Sequence, residues 1–183
     1  MDIENTNIDG VLIVKPKFYK DERGFFTELY SQRNYCPDVT NEFSVQCNFS
    51  HSSKHVLRGL HYQKTKPQGK LIQVLKGEIF DVGVDIRRDS PTYGEHFSLT
   101  MSDHDHIQIY FPPGIAHGFC VLSEYADITY QCTDYYYPDD ECGILWNDPD
   151  LNINWPTDTP IVSDKDKIFK KLSELKDEEY PTI

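Results

Sequence analysis

The chain has no long apolar run. No stretch approaches the ~18 residues that a membrane-crossing helix needs, so no transmembrane segment is expected. Basic charge is scarce too: 18 Lys and Arg stand against 30 Asp and Glu, a net charge of −12. Binding nucleic-acid backbone in general requires a basic face, which excludes nucleic acid as a partner. A few local arginines would still suffice for one small phosphorylated ligand. Cysteines number five, an odd count, and none forms a CxxC pair. Residues 1–10 are polar and acidic, unlike a targeting peptide. The expectation is a cytoplasmic protein with reduced thiols. No Gly-rich phosphate loop or dinucleotide fingerprint occurs, so no cofactor is implied. No metal is expected either. His104-Asp105-His106 is tight enough, but it falls in a polar turn with no glutamate close behind, and His51 and His55 fall in a Ser-rich loop.

What the chain does have is aromatic and β-forming. Aromatics make up 13%, with 12 Tyr and 10 Phe, which suits β-structure and a ring-stacking ligand site. Strands are expected at 11–14, 25–30, 43–48, 71–75, 78–86, 97–101, 107–111, 117–122 and 128–137, with turn residues between them. Many short strands at a spacing of roughly ten residues imply an all-β sandwich or barrel, with a jelly roll as the natural arrangement. One helix is expected over 164–176. There Ile168, Phe169, Leu172 and Leu175 recur at helical spacing behind a Ser163/Asp164 cap. No repeat, linker or low-complexity tract interrupts 1–183, so one domain is expected.

Arg58-Gly59-Leu60-His61 is the most telling stretch. Histidine titrates near neutral pH and can take a proton from an activated carbon acid. Lys70, His117 and Tyr130 lie downstream. In a strand, residues of like parity share a face, which groups Ile128, Tyr130 and Cys132, and likewise Lys70, Ile72 and Val74. A lysine on an apolar face needs partners. Arg58 and His61 differ in parity, so they share a pocket only if the strand bulges or ends near Gly59. Blander roles exist for each residue taken alone. Tyr130 could pack in the core, Lys70 could guard an edge strand, and Asp166 could be a first-turn helix acid. Cys120 and Cys132 sit in apolar strands, where a thiol is usually inert.

Six motifs in order carry a resemblance. They are Asp21-Glu22-Arg23-Gly24-Phe25-Phe26, Arg58-Gly59-Leu60-His61, Gln68-Gly69-Lys70-Leu71, Gly114-Ile115-Ala116-His117-Gly118-Phe119, Leu145-Trp146-Asn147-Asp148 and Ser163-Asp164-Lys165-Asp166. From about Asp9 to Asp166 the chain resembles the dTDP-4-dehydrorhamnose 3,5-epimerases. The resemblance implies a cupin-like jelly roll and a substrate that is a dTDP-linked 4-keto-6-deoxy sugar. It implies His61 as the base, Asp166 as its carboxylate partner, Lys70 as stabiliser of the enolate oxygen and Tyr130 as the acid on the opposite face. His117 would assist binding or charge stabilisation. Arg23, Glu28, Gln46, Asn48, Arg58, Glu141 and Lys165 match substrate-contacting positions, and Tyr136 matches an aromatic that stacks on thymine. The family's homodimer implies that Arg23, Phe26 and Glu28 serve the neighbouring subunit. Cys47 departs from the aspartate usual between the matches of Gln46 and Asn48, and a neutral thiol is a weak hydrogen-bond partner. Two alternatives stay open: an epimerase that inverts a single centre or takes another nucleotide such as CDP, and a sugar-binding cupin without turnover.

Overall fold

The computed structural model describes residues 1–183. Fourteen strands run β1 (Asp2–Asn5), β2 (Leu12–Lys15), β3 (Phe18–Asp21), β4 (Gly24–Thr27), β5 (Gln46–Ser53), β6 (Val56–Gln63), β7 (Lys70–Lys76), β8 (Glu78–Asp85), β9 (His96–Ser102), β10 (Gln108–Phe111), β11 (Ile115–Val121), β12 (Tyr125–Cys132), β13 (Glu141–Gly143) and β14 (Ile161–Val162). Twelve of them form two sheets. One has the order β1-β2-β10-β7-β12-β5; the other has the order β13-β6-β11-β8-β9, with β14 added beside β6. The β3–β4 hairpin stands apart as a two-stranded ribbon. This is the expected all-β, cupin-like architecture. The one α-helix is a single turn, Gln32–Tyr35. No helix is long and apolar enough to cross a membrane.

The inner faces of the sheets interdigitate. Ile72, Val74, Ile109, Phe111 and Ile128 from the first sheet join Ile79, Met101, Phe119 and Val121 from the second in one buried cluster. Each such side chain stabilises the fold by about 1.5–3 kcal/mol through the water it releases. The second sheet is covered on its outer face as well. Leu60, Tyr62, Val82, Val84 and Ala116 pack there against Ile144, Leu151 and Leu172 of the C-terminal part. Two-sided burial explains why β11 reads as a nearly unbroken apolar run rather than alternating.

The structure corrects two expectations and shortens a third: the strand expected over 128–137 ends at Cys132. No helix spans 164–176; that segment has short 3-10 turns, Asp166–Ile168 and Leu172–Glu174, joined by extended backbone. The spacing of Ile168, Phe169, Leu172 and Leu175 looked helical, yet Ile168 is 81% exposed while Leu172 is buried. Tertiary bonds override the local pattern: Leu145 N–H donates to the Lys170 carbonyl, and Leu172 N–H donates to Asp148 Oδ2 at 2.8 Å. Residues 46–53 form a full strand, so His51 lies on β5 rather than in a Ser-rich loop. Residues 56–63 form the strand, β6, that the parity argument for Arg58 and His61 presupposed.

Candidate active site

β6 brings Arg58 and His61 to the same side despite their opposite parity. Against β11, His117 faces His61 and Phe119 faces Arg58, so three steps on β6 match two on β11. The extra residue is a bulge at Gly59. Its φ of +131° belongs to glycine, and a Cβ there would lie 2.4 Å from the Gly118 Cα. Of the two ways a shared pocket could arise, a bulge or a strand end near Gly59, the bulge is the one present.

The site opens between the two sheets as a cavity of about 500 Å³, a size suited to a small-molecule ligand. His61, Arg58, Lys70, Tyr130, Gln46, Asn48, Tyr136, Glu141 and Lys165 all line it. Sheet register explains the gathering. On the first sheet Tyr130 is paired with Asn48 and Ile72, and Cys132 with Gln46 and Lys70, so one face carries the polar set. On the second sheet β13 runs beside β6 and brings Glu141 opposite Gln63.

His61 is anchored through one ring nitrogen, and the other lies near a second carboxylate without a hydrogen bond to it. Its Nε2 lies 2.8 Å from Asp166 Oδ1, and its Nδ1 lies 3.6 Å from Glu141 Oε1. Asp166 sits behind the imidazole and is 2% exposed. Its Oδ2 accepts the Gly59 N–H at 3.3 Å, and its own N–H donates to Ser163 Oγ at 3.1 Å. Burial pushes the Asp166 carboxyl up. The bond from His61, the charge of its ring and the Gly59 and Ser163 bonds outweigh that and hold it below its usual range. Glu141 behaves alike. Burial raises it, but Lys165 at 2.7 Å, the Tyr136 hydroxyl at 2.6 Å and His61 bring it below the usual value. The same bond, with burial added, pushes the Tyr136 phenol up to about 12. With Nε2–H donated to Asp166, Nδ1 carries the lone pair that accepts a proton.

Across the cavity, burial raises the Tyr130 phenol, Cys132 and Glu141 add to the rise, and Arg58 opposes it. Tyr130 at neutral pH is thus a proton donor. Lys70 makes one contact, a long 3.5 Å bond from Nζ to the His61 carbonyl. Burial lowers its ammonium, and Cys132, Glu141 and Asp81 oppose that. Arg58 is steadied through Nε, which donates to Ser52 Oγ at 3.1 Å.

Several residues expected at the site stand elsewhere. His117 is register-paired with His61, but it is buried behind the cavity rather than in its wall; its Nε2 meets Asp81 Oδ1 at 2.5 Å and Phe111 packs on its ring. Arg23 and Phe26 lie on the β3–β4 hairpin, with side chains largely in solvent, and Glu28 follows it; none lines the cavity of its own chain. Cys47 lies at the cavity rim, exposed, with its thiol 3.3 Å from Thr129 Oγ1. Phe49, Gln63 and Gln68 also line the cavity and were not anticipated. Gln68 could have been found, since it belongs to the Gln68-Gly69-Lys70 motif two residues before Lys70.

Comparison with known proteins gives the family. The family model described as dTDP-4-dehydrorhamnose 3,5-epimerase matches residues 5–174. The enzyme of that name from Methanothermobacter thermautotrophicus is 45% identical over 172 residues, covering 92% of this chain and 93% of the relative. The one from Escherichia coli K12 is 43% identical over 178 residues, covering 96% of each. A crystal structure of dTDP-6-deoxy-D-glucose-3,5-epimerase from Legionella pneumophila, in complex with dTDP-4-keto-L-rhamnose, superposes with a TM-score of 0.95 at 47% identity, covering 100% of this chain and 98% of that one. By the extent of these matches, and with the two-sheet fold to support them, the chain belongs to the dTDP-4-dehydrorhamnose 3,5-epimerase family.

Proposed function

We propose that this isomerase inverts C3 and C5 of dTDP-4-dehydro-6-deoxy-D-glucose to give dTDP-4-dehydro-L-rhamnose. The observation that carries the reading is an imidazole on one sheet facing a phenol on the other across one cavity, with a buried carboxylate behind the imidazole. C3 and C5 both flank the C4 carbonyl, so their protons are acidic. His61 takes one of these protons at Nδ1. Asp166 stabilises the imidazolium that forms. The electrons of the broken C–H bond move onto the C4 oxygen as an enolate, which the Lys70 ammonium stabilises. Tyr130 returns a proton to the opposite face of the same carbon, the enolate collapses to the ketone, and the centre is inverted. Exchange with water resets both groups for the second centre. Every step moves a proton, and no electron or group carrier is needed.

Binding divides by chemistry. Arg58 and Lys165 supply cationic donors for the diphosphate, Gln46 and Asn48 supply amides, Glu141 steadies Tyr136 and Lys165, and the Tyr136 ring stacks on thymine. The whole chain acts as one domain in the cytoplasm. Arg23, Phe26 and Glu28 belong to the site of a second subunit in a homodimer, which fits the exposure of the hairpin that carries Arg23 and Phe26.

Proton NMR of the substrate with the enzyme in heavy water tests the reading. Deuterium entering both C3 and C5 is the expected result. Deuterium at one carbon alone would make this a single-centre epimerase, and none at either would remove the epimerase reading for this nucleotide sugar.

A further inference from the structure

Three glutamines hold one loop by its backbone. Residues 133–137 carry no regular secondary structure, and the rings of Tyr135, Tyr136 and Tyr137 are exposed. A segment without ladder partners must satisfy its peptide groups another way. Gln68 Nε2 donates to the Asp134 carbonyl at 2.6 Å. Gln63 Nε2 donates to the Tyr135 carbonyl at 3.0 Å, and Gln63 Oε1 accepts the Tyr137 N–H at 2.7 Å. Gln46 Oε1 accepts the Tyr136 N–H at 2.9 Å. Four consecutive residues are thus gripped from β5, β6 and the segment just before β7, which spans both sheets.

Gln63 is the centre of this grip. It is 3% exposed, and its second amide hydrogen goes to the Lys66 carbonyl at 2.7 Å, so its donors and acceptor are all engaged. Gln68 is 8% exposed. Burying two amides is costly unless they bond, and here most of those bonds serve the peptide backbone that carries Tyr136. The Tyr136 ring itself is 46% exposed and keeps one side-chain bond, to Glu141.

We infer that Gln63 and Gln68 are positioning residues for nucleoside recognition: they fix the 134–137 backbone so that the Tyr136 ring is already in place for the base of a nucleoside diphosphate. This rests on the reading of Tyr136 as the stacking ring. A loop ordered before binding avoids the entropy cost of ordering on binding, so the benefit appears in affinity and not in proton transfer.

A double-mutant cycle with Gln63→Met and Tyr136→Ala tests it. Methionine keeps the length of glutamine and loses its hydrogen bonds. Calorimetry would measure dTDP and inorganic pyrophosphate on the four proteins. Each single variant is expected to weaken dTDP about tenfold, the scale of one base–aromatic stack. The double variant should be no weaker than Tyr136→Ala alone within about twofold. Pyrophosphate affinity should stay unchanged, and KM should rise while kcat at saturation holds. Wild-type dTDP affinity in Gln63→Met, equal loss of dTDP and pyrophosphate, or fully multiplying effects would overturn the inference. Unchanged dTDP affinity in Tyr136→Ala would instead overturn the stacking reading and take the inference with it. Should Gln63→Met not fold, Gln68→Met enters the same cycle with the same outcomes.

Discussion

His61 and His117 stand opposite each other on neighbouring strands, each bonded through Nε2 to a carboxylate. The chemical pair is the same, yet the surroundings differ. The His61 side chain is 24% exposed and opens on the cavity, and its carboxylate arrives from the C-terminal segment with a backbone N–H on its second oxygen. His117 packs between Phe111 and Phe119. Its carboxylate, Asp81, is fully buried with Oδ2 unpartnered. A histidine–aspartate pair therefore does not by itself make a base. Access to the cavity, and a second oxygen already satisfied, separate the pair proposed for proton transfer from the buried one.

The comparison can be broken most directly at His61. His61→Ala is expected to lower kcat by about 10²–10⁴-fold, read as the rate of product formation at saturating substrate. Lys70→Met, which removes the cation proposed to stabilise the enolate, should lose about 10²–10³-fold with the same readout. His117→Asn should cost far less than His61→Ala, since His117 does not line the cavity. A loss as large as that of His61→Ala would erase the distinction between the two pairs.

The carboxylates supply a smaller, sharper test. The folded Asp166 carboxyl is held below its ordinary 3.8, so its contribution to stability is present above that pH and is lost as pH falls through the folded value. Melting temperature against pH should therefore drop more steeply below about pH 4 in the wild type than in Asp166→Asn. Parallel curves would show that the Asp166 bonds do not favour its charged form.

Much of the site was legible in the sequence through the resemblance that the six motifs carry, and strand parity agrees with part of it. Like parity placed Tyr130 with Cys132 and set Lys70 on an apolar face, and the sheet pairs those residues across β12 and β7. For Arg58 and His61 to share a pocket the strand had to bulge or end near Gly59, and of the two it bulges. The C-terminal segment misled because its apolar spacing serves separate ends. Phe169 lies edge-on to His61, Leu172 packs on the second sheet, and Ile168 faces solvent. The burial of His117 behind the cavity depends on which sheet face its neighbours fill, a long-range property. The glutamine grip on residues 134–137 joins positions up to 90 apart in the chain, and no local pattern reveals it.

The most direct test compares solvent-deuterium exchange into substrate C3 and C5 for His61→Ala and His117→Ala, each side by side with the wild type. The expected result is that exchange disappears with His61 and persists, slowed, without His117. Exchange that survives in His61→Ala and vanishes in His117→Ala would contradict the assignment of the base.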